Sequence, residues 1–142
     1  MSGFHQELTI TNDLATLAQV RDLIAASVAQ GGFPATWTNR LQIAVDEAVT
    51  NIIEHGYQDQ PRGNASIHLS TQVTEDEFRI TIADQGTRFD PHSLDDVDIA
   101  SHVASGSNGG LGVFLMRRIM DVVDYRFENG KRNRLILVKY RP

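Results

Sequence analysis

The sequence predicts an α/β fold: a two-layer sandwich of a mixed, mostly antiparallel sheet with helices on one face. Three observations lead there. Strand-like segments come in pairs joined by short turns, which makes the paired strands antiparallel. Other segments repeat their apolar residues at the helical period. The order β-α-α-β-β-loop-α-β-β does not alternate strand with helix, as a doubly wound parallel sheet would.

Residues 4–12, "FHQELTITN", read as a first strand. Asn12 or Asp13 is placed to cap the helix that follows, where a short polar side chain can accept from a free backbone N–H. Leu14, Leu17, Ala18, Leu23, Ile24 and Val28 fall near the helical period, and Gly31-Gly32 stops that helix. A second helix spans about 37–55, with Leu41, Ala44, Val45, Ala48, Val49 and Ile52 on its apolar side and Gly56 expected just past its end.

Residues 57–64, "YQDQPRGN", are a loop by their turn residues. Residues 65–73 and 78–84 alternate in polarity and form an antiparallel hairpin around "TEDE". The pattern lapses from Gln85 to Gly110, a length that points to a lid or binding loop. A third helix runs from near Gly110 to about Met120, and strands at 122–129 and 133–140 are joined by "NGKR".

At 142 residues, 41% hydrophobic and 22% charged, the composition suits one soluble globular domain. A net charge of −5 argues against sequence-independent binding to nucleic acid, which needs a basic face. With no cysteine, disulfides, thiolate metal sites and a thiol nucleophile are excluded. No apolar run approaches the roughly 20 residues of a membrane span, and "MSGFHQELTI" has no secretory character. No membrane association and a cytoplasmic location are the expectation.

Within "DEAVTNIIEHGY" (46–57), Glu47, Asn51 and His55 recur every four residues, so they share one face of a helix otherwise built of Ala, Val and Ile. By itself that column could be a polar stripe at the edge of a half-buried helix. In "IADQG", Asp84 ends a strand and Gly86 follows. The carboxylate could accept from an exocyclic amine such as adenine's, and the glycine leaves room for a flat ring, although Asp-x-Gly is also a common turn. In "GSNGGLGVFLMRR", Gly109, Gly110 and Gly112 open a helix whose free N–H groups could cradle phosphate. The P-loop pattern is absent.

In this order the three elements resemble the GHKL superfamily of nucleotide-binding domains, the Bergerat fold, which includes gyrase-type ATPases and histidine kinases. Glu47–Asn51 matches the N-box, Asp84-x-Gly86 the first glycine box and Gly110-x-Gly112 the second. "VDEAVTNIIEHGY", "DQGTRFDP" and "GGLGVFLMRRIMDVVDY" look more closely like the single-domain anti-sigma-factor serine kinases. The resemblance implies one histidine-kinase-like ATP-binding domain over residues 1–142.

Its cofactors would be ATP and Mg²⁺, with the Asn51 amide oxygen on the metal, Glu47 as general base, Asp84 on the adenine amine, Gly86 under the ring, and Gly110 and Gly112 on the phosphates. Thr50 would line the site margin, and His55 would steady Glu47 or a phosphate, or else only the helix end. Residues from about Phe89 to Asn108 would be the lid, unusual here for the acids Asp95, Asp96 and Asp98. The implied activity is a protein-serine kinase that phosphorylates an anti-anti-sigma-type antagonist, holds a sigma factor or another regulator, and forms a homodimer. A nucleotide-dependent binding module that sequesters a partner without phosphoryl transfer is the alternative.

Overall fold

The structure is a computed structural model, and it describes residues 3–57, 59–86, 109–128 and 132–142. The expected lid at 89–108 lies outside the described residues. The elements are β1 (Phe4–Thr11), α1 (Leu17–Gly31), α2 (Thr38–Gly56), β2 (Ser66–Val73), β3 (Glu77–Asp84), α3 (Gly109–Ile119), β4 (Val122–Glu128) and β5 (Arg132–Tyr140). Short 3-10 turns at Leu14–Thr16 and Ala35–Trp37 lead into α1 and α2.

Among the described residues the sheet is five-stranded, in the order β1-β2-β3-β5-β4, and each of its pairings is antiparallel. The mixed sheet expected from the sequence is therefore wholly antiparallel here. Alternation sets its two faces. Ile67, Leu69, Phe78, Ile80, Ile82, Leu135 and Leu137 point to the helices and are buried. Glu7, Ser70, Arg79, Asp124 and Arg126 lie on the other face. From the helices, Ile24, Leu41, Val45 and Val49 complete the core, and Phe33 meets Phe78 edge to face at 6.0 Å. α1 packs on α2, β1 and β2, while α3 packs on α2.

The ends of the elements show how the chain is directed. Asp13 caps the first turn, its carboxylate accepting from the Ala15 N–H at 3.0 Å. Asn12, the other candidate, is buried: it accepts from the Ala65 N–H at 3.0 Å and donates to the Pro61 carbonyl at 3.1 Å, fixing the loop before β2. Gly32 closes α1 at φ 72°, a left-handed conformation suited to glycine. At Gly31 a Cβ would sit 2.6 Å from the Val73 Cβ, so the end of α1 lies directly on β2. Gly56 remains inside α2 rather than just past it, because the Tyr57 N–H still reaches the Ile53 carbonyl at 3.3 Å.

The buried hydroxyls are paired. Ser27 Oγ donates to the Leu23 carbonyl at 2.7 Å and lies 2.8 Å from Thr71 Oγ1, joining α1 to β2 through the core.

Candidate functional site

α2 organises the site. Its apolar side faces the sheet, so the residues at its margin stand between core and solvent. Asn51 is 5% exposed, and its Nδ2 has no hydrogen-bond partner among the described residues. Such a buried orphan costs on the order of 1–3 kcal/mol unless something outside the chain satisfies it. Glu47, one turn earlier, is half-buried. Burial pushes its proton affinity above the ordinary carboxylate range, and the neighbouring charges of Asp46 and Glu54 push it further the same way. Thr50 is half-buried beside them, and His55 is exposed at the end of the column.

Asp46 faces α1, where Arg21 Nε donates to its Oδ2 at 2.8 Å. The other oxygen, Oδ1, is buried without a partner among the described residues. Gln42 Nε2 braces the pair by donating to the Arg21 carbonyl at 3.0 Å.

The end of β3 meets the end of α2. Asp84 is 5% exposed. Its Oδ2 accepts from the Gly86 N–H at 2.8 Å, the Tyr57 hydroxyl at 3.2 Å and Asn133 Nδ2 at 3.4 Å. Burial raises its proton affinity, and these three donors partly oppose the rise by stabilising the carboxylate. The Tyr57 hydroxyl accepts from the Gln85 N–H at 3.0 Å. Burial, then the charge of Asp84, pushes its pKa up to about 12.

Asn133 Nδ2 also holds the Gly86 carbonyl at 2.9 Å, and the Tyr125 hydroxyl donates to Asn133 Oδ1 at 2.9 Å. A Cβ at Gly86 would come 2.7 Å from the Gly56 carbonyl and 2.8 Å from the Tyr57 ring. The glycine is thus required first by the approach of β3 to α2.

Gly110 and Gly112 lie in the first turn of α3, which begins one residue earlier than the sequence suggested, at Gly109. The first N–H groups of a helix have no partner within it, and these belong to a helix packed on α2. The described structure thus ties the predicted residues to one helix: Glu47, Asn51, Thr50 and His55 are on α2, Asp84 and Gly86 are docked at its end, and Gly110 and Gly112 are on its neighbour.

Sequence reasoning missed Tyr57, Asn133 and Tyr125. Tyr57 stood at the end of the quoted motif, but its bond to Asp84 spans 27 positions. Asn133 could have been found only from the strand register, which sets it opposite Asp84.

No group of three or more His, Cys, Asp or Glu side chains able to hold a metal occurs among the described residues. A divalent ion held by the Asn51 amide oxygen would need phosphate and water oxygens at its other positions, while the orphaned Nδ2, a donor, would meet an acceptor such as a phosphate oxygen. That donor set suits Mg²⁺. A cavity of about 500 Å³ lies at the same end of the sheet, bounded by Tyr57, Asp84 and Gln85 together with Ser66, His68 and Arg132 of the helix-free face. Glu47 and Asn51 do not line it, so it sits behind the Asp84–Tyr57 pair.

Among α/β sandwiches, this placement of an acid, an amide and a strand-end aspartate around one helix characterises the histidine-kinase-like ATPases. Residues 10–139 match the family described as the histidine kinase-like ATPase domain, and the chain belongs to it. The serine-protein kinase RsbW of Bacillus velezensis is 31% identical over 128 residues, which cover 87% of this chain and 79% of the relative. RsbW of Bacillus subtilis strain 168 is 31% identical over 125 residues, 85% of this chain and 76% of the relative.

Among solved structures, the RsbU and RsbW domains of a Mycobacterium tuberculosis protein match with a TM-score of 0.65 at 15% identity, covering 100% of this chain and 34% of that one. The histidine kinase domain of a blue-light-activated kinase from Erythrobacter litoralis matches with a TM-score of 0.55 at 18% identity, covering 93% and 62%. At these identities the two structures bear on the fold.

Proposed function

We infer that the chain is an ATP-dependent protein-serine kinase of the partner-switching kind, which phosphorylates an anti-anti-sigma-type antagonist and holds a sigma factor or another regulator. The observation that carries this reading is the pair on α2: a half-buried carboxylate with raised proton affinity, one turn from a buried amide with an unsatisfied end. A domain that only bound a nucleotide would have no use for the first. The names of the RsbW relatives support the choice of serine as acceptor.

In this reading Glu47 takes the proton from the substrate hydroxyl. The seryl oxygen bonds to the γ-phosphorus, and the bond from that phosphorus to the β–γ bridging oxygen breaks, releasing ADP. Asn51 would hold Mg²⁺ through its amide oxygen, and the ion would supply charge neutralisation on the phosphates. Asp84 receives the adenine amine, the N–H groups of Gly110 and Gly112 face the phosphates, and Thr50 and His55 line the margin. The family resemblance supports a homodimer. No helix among the described residues is long and apolar enough to cross a membrane, and the reading places the protein in the cytoplasm.

A second reading, a nucleotide-gated module that sequesters a partner without transfer, draws on the acids Asp95, Asp96 and Asp98 in the sequence of the lid. One experiment separates the two. The chain is mixed with labelled ATP, Mg²⁺ and an antagonist-domain protein from the same genome, with Glu47→Gln alongside. Labelled serine on the antagonist, lost in the variant while ATP binding persists, is expected. Full transfer by the Glu47→Gln chain would remove the general-base role, and ATP binding without transfer to any antagonist would favour the binding module.

A further inference from the structure

Asp84 is held in an unusual way. Its described hydrogen bonds all end on one oxygen, Oδ2, from a backbone N–H, a tyrosine hydroxyl and an asparagine amide. None of those described ends on Oδ1. The donors come from three parts of the fold: the turn after β3, the end of α2, and β5. Each is itself fixed, Tyr57 by the Gln85 N–H, and Asn133 by the Gly86 carbonyl and the Tyr125 hydroxyl. The side chain that lies opposite Asp84 in the sheet register is the amide that touches it. A carboxylate secured this way cannot turn to exchange its oxygens without breaking several bonds at once.

We propose that Tyr57 and Asn133 are positioning residues that occupy Asp84 Oδ2 and leave Oδ1 as the acceptor that reads the base, so that they set the preference for a 6-amino over a 6-oxo purine. The proposal rests on the nucleotide reading above and adds its specificity. A 6-amino group offers an N–H donor to Oδ1. A 6-oxo group turns a lone pair toward the same carboxylate and is repelled. Removing the donors on Oδ2 has two effects. The carboxylate gains freedom to rotate, which weakens the bond to the amine. The buried acid also loses the bonds that favour its ionised form, and a protonated acid can donate to a 6-oxo group. The two effects act in opposite directions on the two bases, whereas a general loosening of the fold would weaken both alike.

The test measures binding of ATP, inosine triphosphate and tripolyphosphate, each with Mg²⁺, to the unaltered chain, Tyr57→Phe and Asn133→Leu, with thermal melting to establish that each variant is folded. The unaltered chain should prefer ATP to inosine triphosphate by at least about tenfold, the scale of a hydrogen bond to a charged group. In either folded variant that ratio should fall by about tenfold, with tripolyphosphate binding unchanged.

Equal binding of the two nucleotides by the unaltered chain would overturn the proposal whether or not the variants fold. A wild-type ratio in either folded variant would overturn it while leaving the nucleotide reading intact. No ATP binding by the unaltered chain at millimolar concentration would remove the nucleotide reading, and the proposal with it.

Discussion

Glu47 has its proton affinity set by its surroundings, and the sign of each contribution can be tested. Burial acts first, and Asp46 acts in the same direction. A general base works only when deprotonated, so transfer should fail as pH drops through a value above the ordinary carboxylate range. Asp46→Asn removes one of the charges that raise Glu47, so the acid limb of the pH–rate profile should move to lower pH. An unmoved limb would mean that another group governs it. The charges that act on Glu47 are those of Asp46 and Glu54, both on its own helix. Asp46 is itself paired with Arg21 of α1 at 2.8 Å, so Asp46→Asn also removes that ion pair.

At the scale of elements, the contact between the end of β3 and the end of α2 leaves no slack. A methyl group at Gly86 would strike the Gly56 carbonyl, which is backbone and cannot swing aside. Gly86→Ala should therefore destabilise the fold by on the order of 2 kcal/mol, read as a lowered denaturation midpoint, and weaken nucleotide binding with it. A variant as stable as the parent would show that the two ends can move apart.

This junction also marks the limit of what the sequence revealed. The helices and strands were legible because Leu41, Val45 and Val49 keep one period while Phe78, Ile80 and Ile82 keep another, and burial enforces both. Glu47, Asn51 and Asp84 were legible as polar residues inside such patterns. Tyr57, Asn133 and Tyr125 were not, since their part depends on strand register and on which helix end meets which strand, and neither has a local signal. Gly86 was recognised as special for the space it leaves, but the sequence could not say that Tyr57 and Gly56 take up that space.

For the molecule as a whole, Tyr57 links the site to stability. Its folded pKa of about 12 lies above the ordinary tyrosine value near 10. The folded chain therefore holds this proton more tightly than the unfolded chain does. The contribution is fully present below pH 10 and is lost as pH rises toward 12, a fall on the order of 2 kcal/mol. Denaturation measured from pH 9 to 12 should show this loss, and Tyr57→Phe should flatten it. An equal slope in both proteins would mean that other groups carry the alkaline sensitivity.

The strand order β1-β2-β3-β5-β4 has a consequence for how the protein is made. β5 lies inside the sheet, although it follows the other four described strands in the sequence, and β4 joins the sheet through β5. While the chain is being synthesised, β1, β2 and β3 can pair as they appear, but β4 must wait without its neighbour, and β3 presents an open edge that includes Ile80 and Ile82. The nascent chain thus passes through a stage with an unsatisfied, apolar strand edge, the condition under which chains pair wrongly with one another. The acid and amide side chains of α2 precede these strands in the sequence, yet Asp84 lacks Asn133 until β5 is in place. The site and the sheet are therefore completed by the same event.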